Sequence, residues 1–335
     1  MFDVITIGTA TRDIFIKSPA AKVVNGTYCF PLGEKIEVKK MIFTTGGGAT
    51  NTATTFARQG FKTAVLVKVG SDEAAKRVLE NIQKEKVNPF LITERGKTTA
   101  YSVIILSPNG ERTILVHRGA SEDLKTSEIP FKKLKSGWIY VSPGGVSFSV
   151  IEKIFNHCFR NKVLIAFNPS RYFLEMGIKK LIPLLRMSAV VILNREEAAF
   201  LTKTDFSKEK EIFRKMDKII HGVVVMTEGA KGVMISDGNR IYRAGVFSGV
   251  KLVDRTGAGD AFGSGFVAGL IREIRSSKLE IRNLSPRAVG YAIRLGLANA
   301  SSVVEHIGAK DGIIAKSEFN NSKRWRFIKI DSWKI

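Results

Sequence analysis

Gly257 and Gly259 stand in the run Asp254-Arg255-Thr256-Gly257-Ala258-Gly259-Asp260, just ahead of a small-residue stretch with helical character, Ala261-Phe262-Gly263-Ser264-Gly265-Phe266. Glycines at those places let a tight turn bring backbone N–H groups against a ligand with no Cβ in the way. A helix that starts there adds unpaired N–H groups and the positive end of its dipole. The combination is an anion site suited to phosphate. Asp260 is out of character in such a loop, because a carboxylate repels phosphate. Its presence makes sense if it takes a proton from a hydroxyl that attacks the phosphate. The plain alternative is a glycine-rich turn ahead of a buried helix.

Other clusters have chemistry of their own. Gly46-Gly47-Gly48-Ala49-Thr50-Asn51 precedes a helix whose face carries Ala53, Thr54 and Ala57. Asn51 can both donate and accept hydrogen bonds, as sugar hydroxyls require. Asp13 lies five residues beyond Gly8, just after the first strand, where an Asp also serves as a turn or cap residue. Asn194-Arg195-Glu196-Glu197 follows the apolar run Val190–Leu193; it reads either as a cation-shell pair or as a helix start with Asn194 as N-cap and Glu197 three residues on. Thr227-Glu228-Gly229-Ala230-Lys231-Gly232 follows the run Val223–Met226.

Taken in order, these motifs resemble the two signatures and the intervening Asn-x-x-Glu of the ribokinase (PfkB) family of carbohydrate and nucleoside kinases, over about residues 1–312. The resemblance implies a ribokinase-like three-layer α/β/α fold with a mostly parallel central sheet and a small β-sheet lid. It implies phosphoryl transfer from ATP to a hydroxymethyl group, with Asp260 as base and the amides of Gly257, Ala258, Gly259 and Asp260 as anion hole. Asp13, Gly46, Gly47 and Asn51 then contact the acceptor's hydroxyls. Asn194 and Glu197 hold the hydration shell of Mg²⁺. Thr227, Gly229 and Gly232 contact the nucleotide, and Asn299, in Ala298-Asn299-Ala300, flanks the adenine. Ribokinases proper have a lysine where this chain has Gly48, so ribose is not secured as acceptor. Arg255 stands where many relatives have threonine, which keeps the anion loop but leaves potassium dependence without an expectation either way. Family members carry a lid that often mediates dimerisation, so a homodimer through the lid is among the assemblies implied.

The elements that must position these residues alternate apolar strands with amphipathic helices, the pattern of α/β layering. Strands are expected at Val4–Gly8, Ala64–Val69, Trp138–Val141, Val163–Phe167, Val190–Leu193 and Val223–Thr227. Helices are expected at Thr50–Gln59, Ser71–Lys84, Ser149–Asn161, Arg195–Leu201, Lys208–Lys218, Ala261–Ile274 and Pro286–Val304. Residues 14–45 and 97–118 break the alternation and are expected to form the lid, with a hairpin turning at Pro108-Asn109-Gly110. The whole is read as one kinase domain over 1–315 and a basic tail over 316–335.

With 335 residues, 44% apolar and 25% charged, the chain has the composition of a globular protein. No apolar run is long enough to span a membrane, and the N-terminus lacks the pattern of a secretory signal. Cys29 and Cys158 cannot build a disulfide framework, and no Cys/His cluster has zinc spacing. A cytoplasmic location is the expectation. Gly96-Lys97-Thr98 ends like a P-loop, but Leu91 replaces its first glycine, and no Gly-x-Gly-x-x-Gly follows the first strand. The net charge of +22 favours anionic ligands, and the run Lys323-Arg324-Trp325-Arg326-Phe327 mixes bases with aromatics. Arg118 and Arg171 are candidates for pairing an anionic acceptor. A sugar is the first expectation for the acceptor and a nucleoside the second. The reading from another class is a non-catalytic ligand- or RNA-binding protein on the same fold; Asp260 and Glu197 speak against it, and nucleic acid is disfavoured as a partner.

Overall fold

The computed structural model describes residues 1–17, 22–24, 27–106, 112–277, 281 and 284–335. A ten-stranded sheet runs through the molecule. Its parallel part places, side by side, Val223–Thr227, Val190–Asn194, Leu164–Phe167, Ser136–Ser142, Phe2–Gly8, Thr63–Val69 and Asn88–Thr93. These strands are rich in Val, Ile and Leu because helices cover both faces of the sheet, and every residue of Thr63–Val69 is buried.

Side chains alternate across a strand, so neighbours feed opposite layers. Ile5, Ile7, Ile139 and Val141 pack with Phe155, Leu184 and Phe213 from the helices Phe148–Arg160, Ile178–Met187 and Glu209–Asp217. Val4, Trp138 and Tyr140 pack instead with Phe56, Phe266 and Ile293 from Gly48–Arg58, Ala258–Ser277 and Pro286–Val303. The last two helices approach closely because glycines face each other: a Cβ on Gly265 would lie 3.0 Å from the Cα of Gly296. The result is the three-layer α/β/α architecture expected from the alternation.

The edges of the sheet depart from the sequence reading. Asn88–Thr93 was not expected as a strand, and it contains Pro89. It sits at one edge, where a missing N–H leaves no ladder partner unsatisfied. At the other edge Val233–Ser236, Arg240–Ala244 and Ile330–Lys334 add antiparallel strands. The last of these belongs to the basic C-terminal segment. Trp325 in the same segment is buried against Phe247, with ring centroids 5.0 Å apart.

A second, smaller sheet of four strands is built from the segments expected to form the lid. Thr11–Lys17 pairs antiparallel with Lys40–Gly46 and parallel with Ala100–Leu106, which pairs antiparallel with Arg112–His117. The expected hairpin is therefore present, although its turn at Pro108-Asn109-Gly110 lies outside the described residues. The lid strand starts at Thr11, so Asp13 is a strand residue of the lid and not part of a loop after the first strand. No helix among the described residues is long and apolar enough to cross a membrane.

Candidate active site

The carboxyl ends of the parallel strands line up along one side of the sheet. Gly8 is level with Ser142, and Asn194 with Thr227. Ligands gather at such a side in open α/β sheets. The strands end there and each hands its chain to a loop or helix start that exposes backbone donors.

Over the Gly8 and Ser142 strands, the turn before helix Gly48–Arg58 is folded tightly. Gly47 has φ 93°, a left-handed conformation that favours glycine. The Ala49 amide donates to the Thr9 carbonyl at 3.2 Å, and the Thr50 hydroxyl to the Gly46 carbonyl at 2.6 Å. Asp13 lies against this turn: a Cβ on Gly46 would collide with its carboxylate. Asp13 is 4% exposed and accepts from the Thr11 hydroxyl at 2.7 Å. Burial pushes its carboxyl above the ordinary Asp range, against the opposing pull of the Thr11 hydrogen bond and the nearby Lys310 ammonium.

Asn51 is 5% exposed and donates through Nδ2 to Asp260 Oδ2 at 2.9 Å. Its Oδ1 is buried and has no hydrogen-bond partner among the described residues. This one bond joins two motifs that are 209 residues apart in the chain. Asp260 is partly exposed, at the mouth of the site, and desolvation raises its carboxyl while Asn51 and Lys310 oppose the rise. Gly257, at φ 78°, turns the chain into helix Ala258–Ser277. The amides of Gly257, Gly259 and Asp260 find no backbone partner among the described residues, as an anion loop requires. The Ala258 amide differs: it closes a turn on the Arg255 carbonyl at a long 3.3 Å. That bond competes with any anion for its hydrogen.

Over the Asn194 and Thr227 strands, Asn194 Oδ1 accepts from the Glu197 amide and Glu197 Oε2 from the Asn194 amide, both at 2.8 Å. This reciprocal cap starts helix Arg195–Thr202. It uses one carboxylate oxygen of Glu197 and leaves Oε1 outside the cap. Burial raises the Glu197 carboxyl. One carboxylate oxygen beside an exposed amide side chain suits a hydrated Mg²⁺, which keeps most of its waters. Among the described residues no cluster of three or more His, Cys, Asp or Glu side chains forms a dedicated metal cage. Thr227 is half-buried, Gly229 is exposed, and the turn closes with the Glu228 amide on the Gly232 carbonyl at 2.8 Å.

One sequence expectation needs correction. Asn299 does not face a nucleotide. It is fully buried; its Nδ2 donates to Thr55 Oγ1 at 3.1 Å and to the Ala261 carbonyl at 2.8 Å, and its Oδ1 accepts from the Ile314 amide at 3.1 Å. Those bonds clamp the anion-loop helix to its neighbours and leave the side chain nothing to offer a ligand. Arg118 and Arg171 are exposed and pair with Glu122 and Glu175 four residues on, at 3.1 and 2.8 Å.

Residues the sequence reading passed over prove central to the geometry. Asp254 is 1% exposed and accepts from the Thr256 amide at 3.0 Å, the Thr256 hydroxyl at 2.7 Å and the Gly308 amide at 3.0 Å. It pins the anion loop to the loop at 308. The Asp-x-Thr spacing is the signal of such a turn. Arg195 reaches from the Asn194 segment to the carboxylate of Glu228, tying the two loops of this half together. Lys310, 6% exposed, stands behind Asp13 and Asp260 and donates to Thr45 Oγ1 at 2.9 Å and Asn81 Oδ1 at 3.0 Å.

Comparison with known proteins follows the same lines. The sequence pattern described as pfkB family carbohydrate kinase matches residues 1–316. The chain is 27% identical over 322 residues to the cytidine kinase of Thermococcus kodakarensis, covering 92% of this chain and 98% of that protein. It is 26% identical over 263 residues to an uncharacterized sugar kinase of Archaeoglobus fulgidus, covering 77% and 97%. The structure of a ribokinase from Giardia lamblia superposes with a TM-score of 0.80 over 95% of this chain and 97% of that one, at 20% identity, which shows a shared fold.

Proposed function

The chain belongs to the pfkB family of carbohydrate kinases, and on that premise we propose that it transfers the γ-phosphoryl group of ATP to a hydroxymethyl group of a sugar or sugar derivative. The observation that carries the reading is the Asn51–Asp260 hydrogen bond, which sets a base at the mouth of an anion loop and beside a hydroxyl-binding amide.

In this mechanism Asp13 accepts hydrogen bonds from paired hydroxyls of the acceptor. Gly46 and Gly47 allow the acceptor to lie close to the backbone. Asn51 Oδ1, a buried acceptor without a partner among the described residues, accepts a further hydrogen bond from an acceptor hydroxyl. A site built this way discriminates strongly, because an analogue lacking those hydroxyls leaves the desolvated carboxylate unpaired. Asn51 Nδ2 holds the Asp260 carboxylate in place, and the free oxygen of Asp260 accepts the proton of the attacking hydroxymethyl. Its raised pKa makes it, when ionised, a better proton acceptor than an ordinary aspartate. The amides of Gly257, Gly259 and Asp260, joined by Ala258 when its long turn bond yields, stabilise charge on the moving phosphoryl. Thr227, Gly229 and Gly232 receive the nucleotide. Asn194 and Glu197 would hold Mg²⁺ through its waters, and the ion when bound neutralises charge between the phosphates.

A nucleoside acceptor is the second reading, favoured by the similarity to a cytidine kinase over nearly the full length of both chains. The test is an ADP-release assay with Mg-ATP against sugars, sugar phosphates, sugar acids and nucleosides. Turnover with one class identifies the acceptor. Absence of both turnover and nucleotide binding would overturn the kinase reading, and salt-sensitive RNA affinity in its place would favour a binding protein.

A further inference from the structure

A cavity of about 360 Å³ opens beside the edge of the lid sheet. Thr44 and Thr45 of the edge strand form one wall, Gly308 and Lys310 of the loop beyond the last long helix form another, and Asn81 and Lys84 of helix Glu73–Lys84 form a third. Arg12 precedes Asp13 on its strand and so faces the other side of it, into this cavity. Neither Asp13 nor Asp260 lines the cavity, and neither do Gly46, Asn51, Glu197 or the loops 227–232 and 257–260.

The lining is unbalanced in charge. Four cations, Arg12, Arg77, Lys84 and Lys310, face two carboxylates, Glu80 and Asp311, which leaves an excess of two positive charges when Lys310 is protonated. Arg77 is occupied by Glu73 and Glu80, each at 3.0 Å. Lys84 makes no ion pair among the described residues. Lys310 is the least comfortable. Its ammonium is almost wholly buried, donates only to the neutral oxygens of Thr45 and Asn81, and so has a third N–H unused. Burial pushes it down to about 7. A desolvated ammonium without a carboxylate in hydrogen-bond contact is costly unless an anion joins it.

We propose that this cavity is a second ligand site, separate from the acceptor and nucleotide sites, and that it binds a small phosphate monoester. Such a group carries about two negative charges near neutral pH and three acceptor oxygens, which match the excess charge and the unused donors. A monocarboxylate would match only one of the two excess positive charges and offers one acceptor oxygen fewer. The cavity lies within the usual ~300–1,000 Å³ of small-molecule sites, and Ile42 and Phe43 supply an apolar wall for the carbon skeleton.

The test is calorimetric titration of the full chain with glycerol 3-phosphate at physiological salt, with glycerol as the neutral control. Saturable one-site binding is expected. Lys84→Glu, at an exposed position that the fold does not need, should weaken it about tenfold or more. Lys153→Glu, the same charge change on the exposed side of helix Phe148–Arg160, should leave it within about twofold. Asp13→Asn should also leave it intact, since Asp13 does not line the cavity. Lack of saturable binding to the native chain overturns the proposal. So does equal weakening by Lys84→Glu and Lys153→Glu, which would mark diffuse attraction to a basic protein, or loss in Asp13→Asn, which would place the ligand in the acceptor site.

Discussion

The two halves of the candidate site are built differently. The acceptor half, over the Gly8 and Ser142 strands, is buried and cross-linked: Asp13 and Asn51 are each at most 5% exposed, and Asn51 and Lys310 reach between distant segments. The nucleotide half, over the Asn194 and Thr227 strands, is open, with Asn194 and Gly229 at the surface and order supplied by a helix cap, a short turn and the Arg195–Glu228 pair. Under the proposed function, the contrast follows from what each half would recognise. Choosing among neutral polyols needs desolvated, prepaid dipoles, because hydroxyls exchange easily with water. Holding a polyphosphate needs positive potential and backbone donors, which work at a partly wet surface.

The proposed mechanism makes that contrast breakable. The largest effect belongs to the residue at the junction: Asp260→Asn should cut kcat by roughly 10² or more while nucleotide affinity stays near native, measured by ADP release and nucleotide titration. Near-native turnover in that variant would remove Asp260 as base. Asp13→Asn should follow, lowering kcat/KM for the acceptor by about 10–100-fold with the nucleotide KM unmoved. An equal rise in both KM values would erase the distinction between halves. Glu197→Gln should be milder and opposite in kind, raising the Mg²⁺ concentration for half-maximal rate by about tenfold and leaving the acceptor KM alone.

The smallest effect is on stability and pH. The Asp13 and Asp260 carboxyls are raised by burial in the folded state. A carboxyl raised on folding contributes stability that is fully present below its unfolded pKa and is lost as pH rises through its folded pKa. Keeping either group ionised in the folded state therefore has a cost to the fold. Asp260→Asn should leave thermal stability at pH 7 equal to or slightly above native, while the difference reverses in acid. The same shifts place the acid limb of the native rate profile above the ordinary Asp range. A profile flat down to that range would show that neither carboxylate governs the rate.

The candidate site was legible in the sequence where its chemistry is local. The anion loop, the Gly46–Asn51 turn and the Asn194–Glu197 cap are each contiguous, so turn and capping chemistry spells them out. Asn299 misled because a polar residue among small helical residues looks the same whether it faces a ligand or a neighbouring helix. Asn88–Thr93 was passed over because Pro89 argues against a strand unless the strand is known to be at an edge. Lys310 had no signal: it is one of 53 Lys and Arg residues, and nothing beside it in the chain marks it as the buried one.

The sequence by itself determined the alternation of strands and helices, the anion loop and the order of the motifs, because periodicity, glycine conformation and helix capping act over a few neighbouring residues. Only the tertiary structure decided that Asn51 holds Asp260, that Asp254 pins two loops, that Asn299 is a structural clamp and that Lys310 stands between the Asp13 and Asp260 carboxylates and a second cavity. Those are contacts between segments brought together by packing across the sheet, and burial, which sets their electrostatics, does not exist until the layers close.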